Sequence, residues 1–314
     1  MKKRRLGRSD LEVAPFCFGG NVFGWTADEK TSFALLDAFV DAGFDFIDTA
    51  DAYSRWVPGH KGGESEAIIG RWIKARGNRD KVIIATKVGA DMGSGRTMAP
   101  SYVRKAVEDS LQRLQTDRID LYQTHWDDPK TPLEEVLSTY AELIKAGKVR
   151  VIGASNYSAA RLKEALDVSA RKGLPRYESL QPQYNLVERK DYQAELGPLC
   201  RKEQIGVIPY YSLASGFLTG KYRSKSDASK SPRGSGAIKY LDERGLRVLA
   251  ALDEVASGHK ASIAQVALAW LLAKPELTAP IASATTLPQL EELLGAVRLE
   301  LSQEDVARLD AASA

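Results

Sequence analysis

The chain has 314 residues, 44% of them hydrophobic, and 44 Lys and Arg nearly balance 41 Asp and Glu, which leaves a net charge of +3. This length allows a full globular core, and the near balance of charge predicts no binding of nucleic acid without a localised basic patch. No apolar stretch of signal-peptide length follows the basic start, and none approaches the roughly 18 residues of a membrane helix, so we expect a cytoplasmic protein without membrane contact.

Short apolar runs rich in Val, Ile and Phe alternate with longer stretches of helical period, which is typical of βα units around a parallel sheet. The strand candidates, in chain order, are VAPFCFGG from Val13, FDFIDTA from Phe44, VIIATKV from Val82, IDLYQTHW from Ile119, VRVIGASN from Val149, ESLQPQYN from Glu178, IGVIPYYS from Ile205 and APIASA from Ala279. Amphipathic stretches such as LEEVLSTYAELIKAG, which ends at Gly147, lie between them. Eight strands with helical crossovers predict one (β/α)₈ TIM barrel, a single domain over residues 1–314.

The alternative is an open doubly wound sheet, which usually carries a glycine-rich phosphate loop after its first strand. Neither GxGxxG nor GxxxxGK[ST] occurs in the chain. The barrel is therefore favoured.

A long polar and basic segment, GFLTGKYRSKSDASKSPRGSGAIKY, follows the seventh strand. It is either a solvated loop or a functional flap. Because it leaves the C-terminal end of a barrel strand, where barrel enzymes place their sites, we interpret 216–241 as a flexible basic loop over a cofactor.

Polar residues lie at the C-terminal ends of the predicted strands, where a buried strand would be expected to carry apolar residues. They are Asp48, Lys87, His125, Ser155, Asn156, Gln181 and Tyr210. Any one of them could be a paired structural group, but side chains at the ends of six barrel strands converge on one rim. The set predicts an active site.

If a carboxylate, a lysine and a tyrosine share one pocket, we expect the pKa of the tyrosine to lie below its usual value of about 10, because a nearby ammonium favours the phenolate. A neighbouring histidine can donate a hydrogen bond to a carbonyl oxygen. The chain has neither a GxSxG nor an HExxH motif, and its two cysteines, Cys17 and Cys200, are far apart without CxxC spacing. With these motifs absent, the residues at the strand ends best fit reduction of a carbonyl by a bound hydride donor.

Ordered blocks along the chain resemble the aldo-keto reductases. They are LGRSDLEVAPFCFGG, FDFIDTADAY, GESEAIIG, VIIATKV, DLYQTHW, GKVRVIGASNYS, LQPQYNLVER and PYYSLASGFLTGKY, from Leu6 to about Leu294. The resemblance is strongest to the bacterial branch that also resembles the potassium-channel β-subunits. It implies Tyr53 as general acid, Asp48 and Lys87 as its partners, and His125 as the group that orients a small carbonyl substrate.

The resemblance also implies a nicotinamide cofactor, NADP(H), with NAD(H) possible. Ser155, Asn156 and Gln181 would bind its carboxamide and Tyr210 would stack on its ring. The complete set implied for the cofactor is Gly20, Asn21, Ser155, Asn156, Gln181, Tyr210, Tyr211, Ser212, Leu213, Ala214, Gly216, Lys221, Ser283, Thr285 and Gln289. The pyrophosphate would lie on the Tyr211–Gly216 turn and Lys221.

Two stretches depart from the family pattern. Thr285 stands where the family usually has the basic residue that holds the 2′-phosphate, and Leu293 stands where it has an asparagine. Threonine lacks the bidentate charged contact of arginine, which weakens the expectation of NADP(H). The loop RWVPGHKGG after Tyr53 is also longer than expected. It suggests a partly apolar substrate pocket lined by Trp25, Trp56 and Trp126.

Two other functions are consistent with this pattern. One is a slow-turnover NADP(H)-binding redox-sensing or regulatory module on the same fold, suggested by the likeness to channel subunits. The other, a barrel lyase or isomerase acting on a phosphorylated sugar, is disfavoured because no nucleophilic-lysine or metal-carboxylate context is evident.

Overall fold

Eight short parallel strands form a ring in the computed structural model, which describes residues 1–93 and 95–314. An antiparallel hairpin, β1 (Arg4–Arg5) and β2 (Glu12–Val13), precedes them. The barrel strands are β3 (Cys17–Gly19), β4 (Phe46–Asp48), β5 (Ile83–Val88), β6 (Ile119–Thr124), β7 (Val149–Ser155), β8 (Tyr177–Gln181), β9 (Gly206–Val207) and β10 (Ile281–Ala282). β10 pairs with β3, and the amide of Ile281 donates to the carbonyl of Pro209 at 3.0 Å, which closes the ring beside β9. The predicted (β/α)₈ barrel is confirmed.

Helices cover the outside of the ring. They are α1 (Glu29–Asp41), α2 (Glu64–Arg76), α3 (Pro100–Leu114), α4 (Leu133–Lys145), α5 (Ala159–Lys172), α6 (Gly197–Glu203), α7 (Gly234–Ala237), α8 (Glu243–His259), α9 (Ile263–Leu272), α10 (Leu287–Gly295) and α11 (Gln303–Ala312). Side-chain caps begin several of them, as at Asp28, Ser158 and Ser262. Within the described residues, no helix combines the length and apolar character that crossing a membrane requires.

The N-terminal hairpin, which the sequence analysis did not predict, packs against the apolar interior of the barrel. Leu6, Leu11 and Val13 belong to the same buried cluster as Cys17 and Phe46. Its strands are only two residues long, too short to give a periodic signal. The hairpin therefore extends the apolar core beyond the strands themselves.

The inward-facing positions of the strands change from apolar to polar along the barrel axis. Phe46, Ala85 and Leu121 belong to the apolar interior cluster. One pleat further toward the strand C-termini, the same strands carry Asp48, Lys87 and Gln123. Successive side chains alternate between faces, so residues two apart share the interior. This change of polarity positions the site.

The segment predicted as a flexible basic loop consists of short helical turns in the structure. These are the 3-10 turns Ala214–Thr219, Lys225–Lys230 and Ile238–Tyr240, together with α7. Tyr222 and Ala237 are fully buried and fix the turns to the body of the protein. Flexibility of this segment stays a prediction.

The crossing of α2 and α3 depends on a glycine. A Cβ on Gly70 would lie 2.1 Å from the backbone oxygen of Arg113, so a backbone atom would have to move. We expect Gly70→Ala to lower the free energy of unfolding by roughly 1–3 kcal/mol. In the matched control, Gly258→Ala in α8, nothing lies within 4 Å of the added Cβ, and helix propensity should raise stability by roughly 0.5–1 kcal/mol. Chemical denaturation measures both, and equal stability of the two variants would contradict the close crossing.

Candidate active site

The ammonium of Lys87 occupies the centre of the polar layer. Its Nζ donates to Asp48 Oδ2 at 2.6 Å, to the carbonyl of Thr49 at 2.8 Å and to the hydroxyl of Tyr53 at 2.8 Å. Both Lys87 and Asp48 are completely buried. Each of the three N–H groups of the ammonium therefore has an acceptor, which a buried cation requires.

The second oxygen of Asp48 is held by two buried amides. Gln181 Nε2 donates to Asp48 Oδ1 at 2.9 Å, and Gln123 Nε2 donates to the same oxygen at 3.2 Å. Gln123 was not predicted from the sequence, although an amide two positions before His125 in a buried strand shares its inward face. β4, β5, β6 and β8 thus converge on one carboxylate.

Tyr53 remains a phenol in this arrangement, and the predicted lowering of its pKa is wrong. Burial, followed by the nearby charge of Asp48, raises its pKa well above the usual value. The hydroxyl lies 3.2 Å from Asp48 Oδ2, while the charge of Lys87 is balanced by that same carboxylate. The hydroxyl consequently holds a proton at neutral pH.

A short turn after β4 positions Tyr53. Its amide donates to the carbonyl of Ala50 at 3.2 Å. The next residue, Ser54, has a φ of 70°, and its buried hydroxyl donates to the carbonyl of Phe23 at 2.8 Å. A non-glycine residue with positive φ is strained, and such strain is held in place by bonds of this kind.

His125 follows β6 and is uncharged at neutral pH. Burial and the positive charges of Lys87 and Arg96 lower its pKa to about 3. Its ring centroid lies 6.2 Å from that of Tyr53. Nδ1 is buried without a hydrogen-bond partner among the described residues, so a proton there would be an unsatisfied donor. The neutral tautomer that avoids this cost carries its proton on Nε2.

The three residues expected to bind a carboxamide, Ser155, Asn156 and Gln181, lie close together and form hydrogen bonds within this group and with its neighbours. The Ser155 hydroxyl donates to the carbonyl of Gln181 at 2.8 Å, and Asn156 Nδ2 donates to the carbonyl of His125 at 2.9 Å. Tyr210 donates from its hydroxyl to Asn156 Oδ1 at 2.8 Å. The structure brings these three residues and Tyr210 to the strand ends beside His125.

The turn expected to bind pyrophosphate has an unusual backbone. Tyr211, Ala214, Ser215 and Gly216 have φ values of 52°, 48°, 58° and 91°. Successive left-handed residues turn backbone N–H groups into a concave surface that suits anions. No described residue accepts a hydrogen bond from the amides between Tyr211 and Ala214, which belong to Ser212 and Leu213.

Lys221 lies against this turn. A Cβ on Gly216 would be 3.5 Å from Lys221 Cε, so the lysine stem passes over the glycine. Its Nζ lies 5.1 Å from the ring centroid of Tyr222 and forms no ion pair with a described residue. The turn and the lysine together form a positively charged cradle.

The residues expected near the adenosine lie at β10 and the start of α10. Ser283 Oγ donates to the carbonyl of Gly19 at 2.7 Å and lies 2.7 Å from Asn21 Oδ1, beside the short turn that begins at Gly20. The amide and hydroxyl of Thr285 both lie within 3.0 Å of Gln289 Oε1. Neither contact includes a cation.

The three tryptophans expected in a substrate pocket lie around the catalytic groups. Trp25 and Trp56 meet edge to face at 5.5 Å, and Trp56 lies 6.1 Å from Tyr53. Trp126 lies 6.3 Å from His125 on the other side. Trp56 is 50% exposed, which leaves apolar surface open at the mouth.

Arg233 is a cation of this region that the sequence analysis missed. It lies in the basic segment, with its guanidinium carbon 5.2 Å from the ring centroid of Trp25. Burial lowers the pKa of its guanidinium. Nη2 is buried and has no hydrogen-bond partner among the described residues. A guanidinium held in this way is a candidate for binding an anion.

A second region of interest surrounds Asp51, which the sequence analysis did not select. Asp51 is 4% exposed, and neither its Oδ1 nor the buried hydroxyl of Tyr122 has a hydrogen-bond partner in the described part of the chain. Glu66 is fully buried and accepts from Thr86 and, at 2.7 Å, from Arg113. Burial and the charge of Glu66 raise the pKa of Asp51 to about 7. Asp51 therefore carries the proton of this acidic pair.

One open cleft lies away from these groups. It has a volume of about 640 Å³ and is lined by residues of the hairpin and α6 together with Lys274 and Glu276. Two of its charged groups are engaged within the protein: Arg4 donates to the carbonyl of Leu277 at 2.7 Å, and Arg201 pairs with Glu276 at 2.9 Å. The described residues contain no group of three potential metal-ligating side chains. We therefore assign the functional site to the strand C-termini.

Comparison with known proteins gives a consistent result. A sequence model described as the Aldo/keto reductase family matches residues 15–314. The chain is 36% identical to "Uncharacterized oxidoreductase YrpG" of Bacillus subtilis, covering 99% of this chain and 95% of that protein. It is 32% identical to "Protein tas" of Escherichia coli, covering 99% and 97%. It is 30% identical to the Schizosaccharomyces pombe protein "Aldo-keto reductase yakc", whose name includes NADP(+), covering 98% and 89%.

The protonation of Asp51 predicts a pH-dependent stability. Its pKa rises from about 3.9 in the unfolded chain to about 7 in the folded one, so folding binds a proton between these values and stability falls as pH rises through that window. We expect Asp51→Asn, which cannot ionise, to be more stable than the wild type by roughly 2–4 kcal/mol at pH 8, with the difference disappearing near pH 4. Urea denaturation across this range measures it. A difference that does not change with pH would contradict the assignment.

Proposed function

Because the chain belongs to the aldo/keto reductase family and is an oxidoreductase, we propose that it reduces an aldehyde or ketone to an alcohol. In this proposal the hydride comes from NADPH and the proton from Tyr53. The observation that carries it is the hydroxyl of Tyr53, which lies 2.8 Å from the Lys87 ammonium beside the neutral imidazole of His125.

The protein's own contribution begins with a proton. The raised pKa of Tyr53 keeps its hydroxyl protonated until a substrate oxygen gains negative charge. Transfer of the proton to that oxygen leaves a phenolate 2.8 Å from the Lys87 ammonium, which stabilises it. Lys87 thus acts after the proton has left.

His125 supplies a second hydrogen bond to the substrate. With its proton on Nε2, the imidazole can donate to a carbonyl oxygen without transferring a charge. Its low pKa, about 3, prevents it from becoming a competing acid at neutral pH. Tyr53 is therefore the acid, and His125 orients and polarises the carbonyl.

A bound nicotinamide nucleotide supplies the hydride. The residues present suit such a ligand, because free amides at Ser212 and Leu213 lie in the turn that Lys221 overlies. The unpartnered Nη2 of Arg233 adds a second cation for phosphate oxygens. Ser155, Asn156 and Gln181 offer the amide and hydroxyl groups that a carboxamide would contact.

The preference for NADPH over NADH is supported less directly. The name of the yeast relative includes NADP(+), and the basic segment provides positive charge. Thr285, however, presents its hydroxyl to Gln289 at 3.0 Å and offers no cation to a 2′-phosphate. We therefore propose NADPH as the principal cofactor with NADH accepted.

Replacement of Tyr53 by Phe tests the acid directly. We expect Tyr53→Phe to reduce turnover of a reactive aldehyde by roughly 10²-fold or more, because the general acid is lost, while the affinity for NADPH, read from tryptophan fluorescence, changes little. The control is Tyr192→Phe, which removes a hydroxyl bonded to Glu276 at 3.3 Å, remote from the site. Wild-type turnover by Tyr53→Phe would refute the assignment.

A charge at position 285 tests where the 2′-phosphate binds. We expect Thr285→Arg to tighten NADPH relative to NADH by about tenfold, the effect of one added charge-assisted contact. Thr285→Val, which removes the hydroxyl and adds no charge, is the control and should not favour NADPH. Fluorescence titration with both nucleotides measures the ratio, and an unchanged ratio in Thr285→Arg would place the phosphate elsewhere.

A further inference from the structure

The catalytic groups lie in the middle of a continuous arc of rings and cations. Adjacent members of the arc are 3.9 to 6.3 Å apart, measured between ring centroids or from guanidinium carbon to centroid. In order, the members are Arg233, Trp25, Trp56, Tyr53, His125, Trp126 and Arg96. A substrate carbonyl that meets Tyr53 and His125 must therefore place the rest of the molecule against the indoles.

The indoles suit a flat apolar body. Trp25 and Trp56 meet at an interplanar angle of 84°, so they form two walls of different direction on one side of Tyr53. Trp126 lies nearly parallel to His125, at 20°, on the other side. Aromatic rings bind other rings face to edge or offset, with a contribution beyond their burial. The exposed half of Trp56 leaves this surface available.

Arg96 ends the arc on the His125 side. Its guanidinium carbon lies 3.9 Å from the ring centroid of Trp126, which is stacking distance. Its charge lowers the pKa of His125, and the intervening contacts place it within roughly 10 Å of the imidazole, the range over which charges interact at physiological salt. Arg96 is exposed and forms no ion pair with any described residue.

Arg96 shares an acidic neighbour with a second cation. Asp91 senses the charge of Arg96, but the same carboxylate also senses Arg55 and accepts hydrogen bonds from the amides of Gly93 and Gly95. Arg55 donates to the carbonyl of Asp91, not to its carboxylate. Two arginines thus share one acid, and stacking on Trp126 orients the edge of the Arg96 guanidinium, which favours a planar carboxylate.

We propose that the substrate is a flat, largely aromatic carbonyl compound that carries a carboxylate, and that Arg96 determines specificity by binding this carboxylate at the rim. The proposal rests on the carbonyl reductase function proposed above. Arg233, at the other end of the arc, is assigned to the nucleotide because its segment lies over the phosphate turn: a Cβ on Gly236 would be 3.4 Å from Ser215 Oγ.

Two matched aldehydes test the proposal. The probes are 4-carboxybenzaldehyde and methyl 4-formylbenzoate, which share a ring and an electron-withdrawing para group but differ in charge. We expect the wild type to favour the carboxylate by about five- to tenfold in kcat/KM, mainly through KM, with the preference falling as salt is added. Arg96→Met, whose side chain still covers Trp126, should lose the preference and reduce the ester as the wild type does. Arg308→Met, which removes a surface arginine that pairs with Glu254 and is no member of the arc, is the control and should retain the preference.

A binding measurement separates this inference from the function on which it rests. The alcohol 4-(hydroxymethyl)benzoate and its methyl ester are titrated against tryptophan fluorescence, which needs no turnover. Tighter binding of the carboxylate by the wild type, but not by Arg96→Met, supports the inference whether or not the aldehydes are reduced. If neither aldehyde is reduced, only the proposed reductase function is contradicted. Equal binding of acid and ester, or an equal loss for both in Arg96→Met, overturns the inference.

Discussion

A lysine ammonium enclosed in a barrel needs an acceptor for each of its three N–H groups, and Lys87 finds them in Asp48, the carbonyl of Thr49 and Tyr53. Burial of two charges costs several kcal/mol per ion, so the pair is tolerated only with full hydrogen bonding. Gln123 and Gln181 complete it by donating to the free oxygen of Asp48. The polar layer of the barrel is therefore one connected network, in which loss of any member leaves a buried charge incompletely satisfied.

The same network decides which group can act as an acid. Burial and then the charge of Asp48 raise the pKa of Tyr53. The ammonium of Lys87 does not reverse this, because its charge is already balanced by Asp48. The imidazole of His125 has no balancing carboxylate, so burial and the same cation lower its pKa. Burial beside one ion pair thus moves the two pKa values in opposite directions, and both groups are neutral at pH 7.

The sequence predicted the barrel and the polar residues at its strand ends, because both follow from periodicity, whereas Tyr53 was implied by the family resemblance. Alternating apolar runs locate the strands, and a polar residue at the end of each, such as Asp48 or Lys87, must point to the common mouth. Gln123 was also within reach, since it shares the inward face with His125. The direction of the Tyr53 pKa was not, because it depends first on how deeply the hydroxyl is buried and then on its distance from Asp48. Arg96 and Arg233 lie outside helical and strand periodicity, so only the folded chain brings them to the indoles.

The charge of the site is distributed by depth. At the floor, the Lys87–Asp48 pair has no net charge, and Tyr53 and His125 are neutral. The cations of the site that form no ion pair with a described residue lie on loops. Solvent reduces the cost of leaving the exposed Arg96 and Lys221 unpaired, whereas burial lowers the pKa of Arg233. In the proposed function, such a separation lets the rim attract and orient anionic groups, while the buried floor, which carries no net charge, meets the charge that develops on the substrate oxygen. Binding and chemistry consequently depend on different residues of one barrel mouth, so loop sequences can change the ligand without disturbing the buried network.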